Sequence, residues 1–314
     1  MILNGLIVIP SEGFANRIRM IASSKILCDN LKIKLLICWR ETNDCNIGFN
    51  YIFDNKELEH INFNEINKKR YIYFGHVHTN SIIDKIKEIK DSKDIIYDYI
   101  VIKGGHSFKD NKMKKIIYLQ MKNIFYKKLL FKKNIKKIYN NFIKNVGEEY
   151  ICIHYRDINK DFDTLDLKNN EAVKFTENSP ISKYFEIIDK LKSNIKLVIV
   201  SNTLKFYNEY KKKYKKEAYT LSIKECNRSN KNNMILSIVD FNILLNASLI
   251  IGNYYSSFSD EASFFNLIPK ITPLNKKLIN KNILNNYHCI NYSSIDNIYG
   301  LHLNYNILIK YFLF

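Results

Sequence analysis

Two periodicities alternate along the chain. Continuous apolar runs at Leu6–Ile9 and Leu35–Trp39 read as strands buried on both faces. Between them Ile18, Ile21, Ala22, Ile26 and Leu27 recur at helical spacing over Arg17–Leu31, which makes a strand, loop, helix, strand unit. Residues 40–108 predict only short strands, at Tyr71–Phe74 and Tyr99–Ile102, and Lys109–Lys144 is helical and strongly basic. The second half predicts a strand at Tyr150–Tyr155, then a helix with Ser179 as N-cap and Pro180 as its first residue, running to about Lys192. A strand at Ile195–Ser201, a basic helix over Thr203–Lys216 and a short strand at Ala218–Leu221 follow. A helix at Met234–Asn246, a strand at Leu249–Ile251 and a helix over Ser259–Asn266 complete the pattern. Such alternation predicts an α/β protein of two Rossmann-like, doubly wound lobes facing a cleft, divided near Val146 and Gly147 into residues 1–146 and 147–314.

Composition narrows the class. With 314 residues, 46% of them hydrophobic, the chain can bury a sizeable core, which excludes a disordered protein. The formal charge of +18 points to anionic company, although part of the lysine excess reads as A+T-rich genome drift. The lysines spread over several helices without an RNA- or DNA-binding signature, so nucleic acid is not the expected partner. The six cysteines form no C-x-x-C pair, which excludes a zinc ribbon or thioredoxin-type site. Cys28, Cys38 and Cys152 sit in apolar runs and read as buried thiols of a reducing compartment. The N-terminus lacks a basic region and reads as a first strand, and no stretch reaches 18 uncharged apolar residues. A cytoplasmic location is therefore expected. The basic stretch 109–144 and the aromatic tail Tyr305–Phe314 offer peripheral contact with an anionic membrane as an alternative to an ordinary solvated helix face.

Ligands of doubly wound sheets sit at the carboxyl ends of strands, and three polar clusters fall there. The first is Gly13-Phe-Ala-Asn16-Arg17, where a glycine permits a tight turn into a helix and Asn16 and Arg17 add donors. It is neither G-x-G-x-x-G nor a P-loop. The second is His154-Tyr-Arg156, whose outer residues share one strand face and could clamp phosphate oxygens. The third is Gly252 to Ser259, where hydroxyls and backbone N–H groups meet a helix start.

The order of these clusters resembles the GT-B-type, GDP-fucose-dependent superfamily that holds the α-1,6-, α-1,2- and protein O-fucosyltransferases. Its G-x-x-N-R/Q loop, H-x-R motif and D-x-x-x-L…IG…S-S-F-S segment correspond to Gly13–Arg17, His154–Arg156, Asp240–Leu244, Ile251-Gly252 and Ser256–Ser259. The resemblance implies inverting transfer of fucose from GDP-fucose to a glycan or lipid-linked hydroxyl acceptor. It implies that Arg156 holds the β-phosphate, that His154 supports the nucleotide or the pyrophosphate, and that Asn16 faces the sugar or pyrophosphate from the opposite lobe, with its neighbour Arg17 counted among the donor-binding residues. Asn202 would line the guanosine pocket, Ser256, Ser257, Phe258 and Ser259 would close around the phosphates, and Arg228 matches an arginine-bearing loop of some relatives. Relatives often read H-x-R-R-x-D, whereas this chain has Asp157 and Asn159 in the later positions, leaving one cationic contact of two. Alternatives are a GT-B enzyme for another nucleotide sugar, or a non-catalytic sugar- or nucleic-acid-binding protein. Asp161-Phe-Asp163 spells D-x-D, but it follows H-x-R, so no metal and no cofactor are expected. Asp161 is taken as the carboxylate that receives the acceptor proton, with Asp157 and Asp163 also in reach by sequence.

Overall fold

The computed structural model describes residues 3–76, 81–92, 96–157, 178–221, 227–254 and 256–273. The D-x-D aspartates Asp161 and Asp163, and the tail Tyr305–Phe314, lie outside the described residues.

The chain divides into two compact units. The first comprises Met1–Ile135 together with Arg228–Ile235, so a short segment distant in sequence, including Arg228, belongs to it. Its sheet contains β1 (Gly5–Pro10), β2 (Lys34–Ile37), β3 (Tyr71–His76) and β4 (Tyr99–Gly104) in the order β2-β1-β4-β3. All pairings are parallel. Helix α1 (Phe14–Leu31) follows β1, whose six residues are all buried. The short helices α2 (Phe49–Ile52) and α3 (Phe63–Ile66), then α4 (Ser81–Asp91), α5 (Lys115–Lys128) and α6 (Lys133–Val146), complete the first half of the sequence.

The second unit comprises Lys136–Asn227 and Leu236–Phe314. Its sheet holds β5 (Ile151–Tyr155), β6 (Leu197–Ser201), β7 (Leu249–Gly252) and the two-residue β8 (Lys270–Ile271), in the order β6-β5-β7-β8, again all parallel. Helices α7 (Ile181–Ile188), α8 (Lys205–Tyr214), α9 (Lys231–Leu245) and α10 (Ser257–Asn266) follow in chain order. Ile151, Ile153, Tyr155, Ile199 and Ile251 pack with Tyr184 and Phe206 into one apolar core. In each sheet the strand order reverses around the first strand, β1 or β5, which places a topological switch at its carboxyl end.

Four local expectations are corrected. The basic stretch 109–144 is two helices, because Phe131 pairs with Phe53 in an antiparallel bridge and takes the chain out of helix between them. Ala218–Leu221 forms only an isolated bridge, Val198 with Tyr219. Ser179 does not cap α7: its Oγ accepts a hydrogen bond from the Tyr254 N–H at 2.9 Å, and Pro180, extended at φ −68°, is the N-cap residue. Gly13 is not the tight-turn residue either. It is extended, at φ −70°, and the left-handed position is Glu12, at φ 66°.

Cys28, Cys38 and Cys152 are buried, as is Cys45, and burial pushes the Cys45 thiol up to about 11. No helix among the described residues is long and apolar enough to cross a membrane.

Candidate functional site

The second unit gathers its polar groups where β5, β6 and β7 end. Parallel pairing aligns His154 with Val200 and with Gly252, so the exits of the three strands lie side by side. Beyond β5 the chain would lose its ladder partners, and two asparagine side chains replace them. Asn253 Oδ1 accepts from the Arg156 N–H at 2.5 Å while Asn253 Nδ2 donates to the Arg156 carbonyl at 3.3 Å. Asn202 repeats the arrangement on the next residue, accepting from the Asp157 N–H at 2.8 Å and donating to its carbonyl at 3.0 Å. Each amide thus mimics a strand neighbour, and together they fix the backbone that carries Arg156.

His154 is 5% exposed. Its ring stacks on Phe258 at a centroid distance of 5.5 Å, and Phe258 in turn meets Phe241 edge-on at 5.2 Å. Burial, with the positive charges of Lys270 and Arg156, drives its pKa down to about 3, so the imidazole is neutral at ordinary pH. Lys270 is itself buried, its Nζ donating to the Asn253 carbonyl at 3.0 Å and pairing with Asp260. Gly252 lets α10 approach β7: a Cβ there would lie 2.9 Å from Ser259 Oγ and 3.0 Å from Lys270 Cε. Ser256 is the N-cap residue of α10, with its hydroxyl not used in capping. Ser259 is fully buried against Gly252, and Ser257 and Phe258 are half-buried. Burial of Asp240, which is mostly enclosed on α9, raises its carboxyl to about 8.

Several buried polar atoms around these strand ends have no hydrogen-bonding partner among the described residues: His154 Nδ1, Asp157 Oδ1, Thr203 Oγ1 and Ser256 Oγ. Buried polar groups are ordinarily satisfied, so such a concentration marks a place where a polar ligand or water completes the set. Asp157 is 6% exposed, with Lys205 Nζ 3.5 Å from its other oxygen.

The first unit has a second polar cluster at the ends of β1 and β4. Glu12 holds a left-handed backbone, which costs a non-glycine residue energy and recurs at functional sites. The loop is braced around it. Arg17 is fully buried, its Nε donating to the Glu12 carbonyl at 2.8 Å and its Nη2 to Thr42 Oγ1 at 2.6 Å, with the guanidinium 4.9 Å from the Trp39 ring centre. The Glu12 carboxylate accepts from Asn16 Nδ2 and lies 3.7 Å from His106 Nε2. It also sits where a Cβ on Gly105 would be, 2.7 Å from its carboxyl carbon. Ser11 Oγ, Asn16 Oδ1 and Ser107 Oγ are buried without partners among the described residues. Arg228 comes to the same loop, its Nη1 3.9 Å from the Cβ position of Gly13, while its carbonyl accepts from the Asn46 N–H at 3.2 Å.

The structure therefore brings His154, Arg156, Asn202, Ser256, Ser257, Phe258 and Ser259 to one sheet edge, and Asn16, Arg17 and Arg228 to the other sheet's edge. The sequence pattern does not single out Glu12 or Lys270, and takes in Asn253 only as part of the Gly252 to Ser259 cluster. Asn253 directly follows Gly252 and could have been found as a polar residue at a strand end. Among the described residues no group of three or more His, Cys, Asp or Glu side chains could hold a metal ion.

Two parallel-sheet units of this kind make up a GT-B-like fold, and comparison with solved structures finds the same fold in fucosyltransferases. The chain is similar to NodZ, the α-1,6-fucosyltransferase from Bradyrhizobium, in a crystal soaked with GDP-fucose: TM-score 0.57, 12% identity, 85% of this chain and 93% of that one. It is similar to FUT1 from Arabidopsis thaliana, in an Arg-to-Lys variant bound to GDP, with TM-score 0.55 and 12% identity over 86% of this chain and 70% of that one. Apo POFUT1 gives TM-score 0.55 and 14% identity over 87% of this chain and 98% of that one. No protein-family model matches the sequence, and no curated protein matches it.

Proposed function

We propose that the protein is a glycosyltransferase that moves fucose from GDP-fucose to a hydroxyl of a glycan or lipid-linked acceptor, with inversion and without a divalent metal. The observation that carries this reading is the edge of the second sheet. There the H-x-R residues, an α10 N-terminus and four buried polar atoms without partners among the described residues meet on a fold shared with NodZ, a crystal of which was soaked with GDP-fucose. The first unit serves as the acceptor side and the second as the nucleotide-sugar side.

In the proposed reaction the bond from the sugar's anomeric carbon to the β-phosphate oxygen breaks, and the acceptor oxygen forms the new glycosidic bond. The electron pair leaves with GDP, and the acceptor proton passes to a carboxylate. Arg156 answers the charge that develops on the departing pyrophosphate. A preorganised donor of this kind contributes roughly 3–4 kcal/mol to the transition state. His154, held neutral by burial, supplies a hydrogen bond rather than a second charge. Ser256, Ser257 and the first N–H groups of α10 suit phosphate oxygens. Asn202 fixes the strand exit beside the nucleotide. For the proton, Asp161 is the carboxylate taken from its reach in the sequence after H-x-R, with Asp157 and Asp163 as the alternatives.

The test is GDP release from GDP-fucose by the purified chain, with and without a panel of glycan acceptors. Turnover that persists in EDTA is expected. Complete loss in EDTA with recovery on adding Mn²⁺ would overturn metal independence. No GDP release with any acceptor, alongside turnover of a UDP-sugar, would overturn the donor.

A further inference from the structure

Helix α5 carries its charge and its aliphatic residues on unexpected sides. Its inward side holds Tyr118, Phe125 and Tyr126, and also Lys122, which is 4% exposed with its Nζ 5.4 Å from the Tyr126 ring centre. Tyr118 Oη meets Ser23 Oγ of α1 at 2.8 Å, which fixes that side against the unit. The outward side presents Ile116, Ile117 and Ile124 at 60%, 43% and 56% exposure, with Leu130 just past the helix at 52%. A surface helix in water normally turns its polar residues outward, and clustered exposed aliphatics mark a contact surface.

Lysines frame this strip. Lys112, Lys114 and Lys115 stand at one end and Lys127 and Lys128 at the other, all exposed, and residues 111–147 include no Asp or Glu. At 1.5 Å per residue the two cationic ends are about 20 Å apart, with isoleucines between them. A second copy of this face would set lysine against lysine. An anionic lipid leaflet fits both features at once. The aliphatic side chains would enter the headgroup boundary, while the lysine ammonium groups stay among the phosphates.

We propose that the outward face of α5 docks the protein on an anionic membrane, lying in the interface and not crossing it. The inference is independent of the catalytic reading. It is tested by floating the full chain with vesicles of phosphatidylcholine plus phosphatidylglycerol, and with vesicles of phosphatidylcholine alone. Binding to the anionic vesicles is expected to be at least about tenfold stronger and to weaken as salt rises. An Ile116→Ser/Ile124→Ser variant and a Lys127→Glu/Lys128→Glu variant should each lose about tenfold or more, with an unchanged melting temperature. Should the isoleucine variant fail to fold, the lysine pair decides alone. The proposal falls if anionic vesicles do not retain the protein, or if a folded variant binds as well as the parent chain. It also falls if the chain is a dimer that the isoleucine variant dissociates without any lipid binding.

Discussion

At the scale of single residues, burial decides what each group can do. Arg156 follows a buried strand, its backbone held from Asn253, so its placement does not depend on its own side-chain packing. Arg156→Ala is expected to lower kcat by about 10²–10³ with little change in melting temperature, and Arg156→Lys to fall between, because lysine keeps the charge but loses the two-pronged contact. Steady-state kinetics alongside thermal melts check both parts. Gly252→Ala should instead destabilise the fold by about 1–3 kcal/mol, measured by urea denaturation, since the new methyl meets Ser259 and Lys270. Two titrating groups shape stability against pH with opposite signs. His154 is depressed to about 3 from its ordinary 6.5, so the unfolded chain takes up a proton that the folded chain refuses, and stability falls as pH drops from about 6.5 toward 3. Asp240 is raised to about 8 from 3.8, so the folded chain holds a proton that the unfolded chain releases, and stability falls as pH rises from about 4 to 8. Their effects oppose each other between about 4 and 6.5, and above that only Asp240 acts. Asp240→Asn should therefore flatten the decline between pH 6.5 and 8 in denaturation measured across that range.

At the scale of elements, the strands were readable because parallel sheets bury both faces, and Leu6–Ile9, Tyr150–Ile153 and Leu249–Ile251 show this as unbroken apolar runs. The His154 and Arg156 cluster was readable for the same reason, since a polar residue ending such a run must lie at the sheet's edge. What sequence spacing does not reveal is pairing across long separations. The amide clamps join Asn202 to Asp157 and Asn253 to Arg156, 45 and 97 residues apart. Lys270 lies on a two-residue strand that has no periodicity to read. Glu12 was hidden by its neighbour: glycine is the usual left-handed residue, and Gly13 drew the assignment that belongs one position earlier. The clamps make a prediction of their own. Asn253→Ala leaves the Arg156 N–H and carbonyl without their partner and should cost about 1–3 kcal/mol of stability. It should also raise KM for the donor, whereas Asn253→Ala at a purely structural position would leave KM unchanged once the folded fraction is corrected for.

At the scale of the whole molecule, two four-stranded parallel sheets each end in a polar cluster at their switch point, and the second cluster holds the H-x-R and Ser256–Ser259 residues. The net charge of +18 suits an anionic donor in general but does not select a base or a sugar. The selective claim is that this sheet edge holds GDP. Thermal unfolding with GDP, UDP, ADP and CMP, run on the parent chain and on Arg156→Ala, tests it most directly. A ligand that binds only the folded state adds about 2.7 kcal/mol at a hundredfold excess over its Kd. The account predicts a clear rise in melting temperature with GDP, little with the other three, and a much smaller GDP effect in Arg156→Ala. Stabilisation by UDP or CMP without stabilisation by GDP, or an undiminished GDP effect in Arg156→Ala, would contradict it.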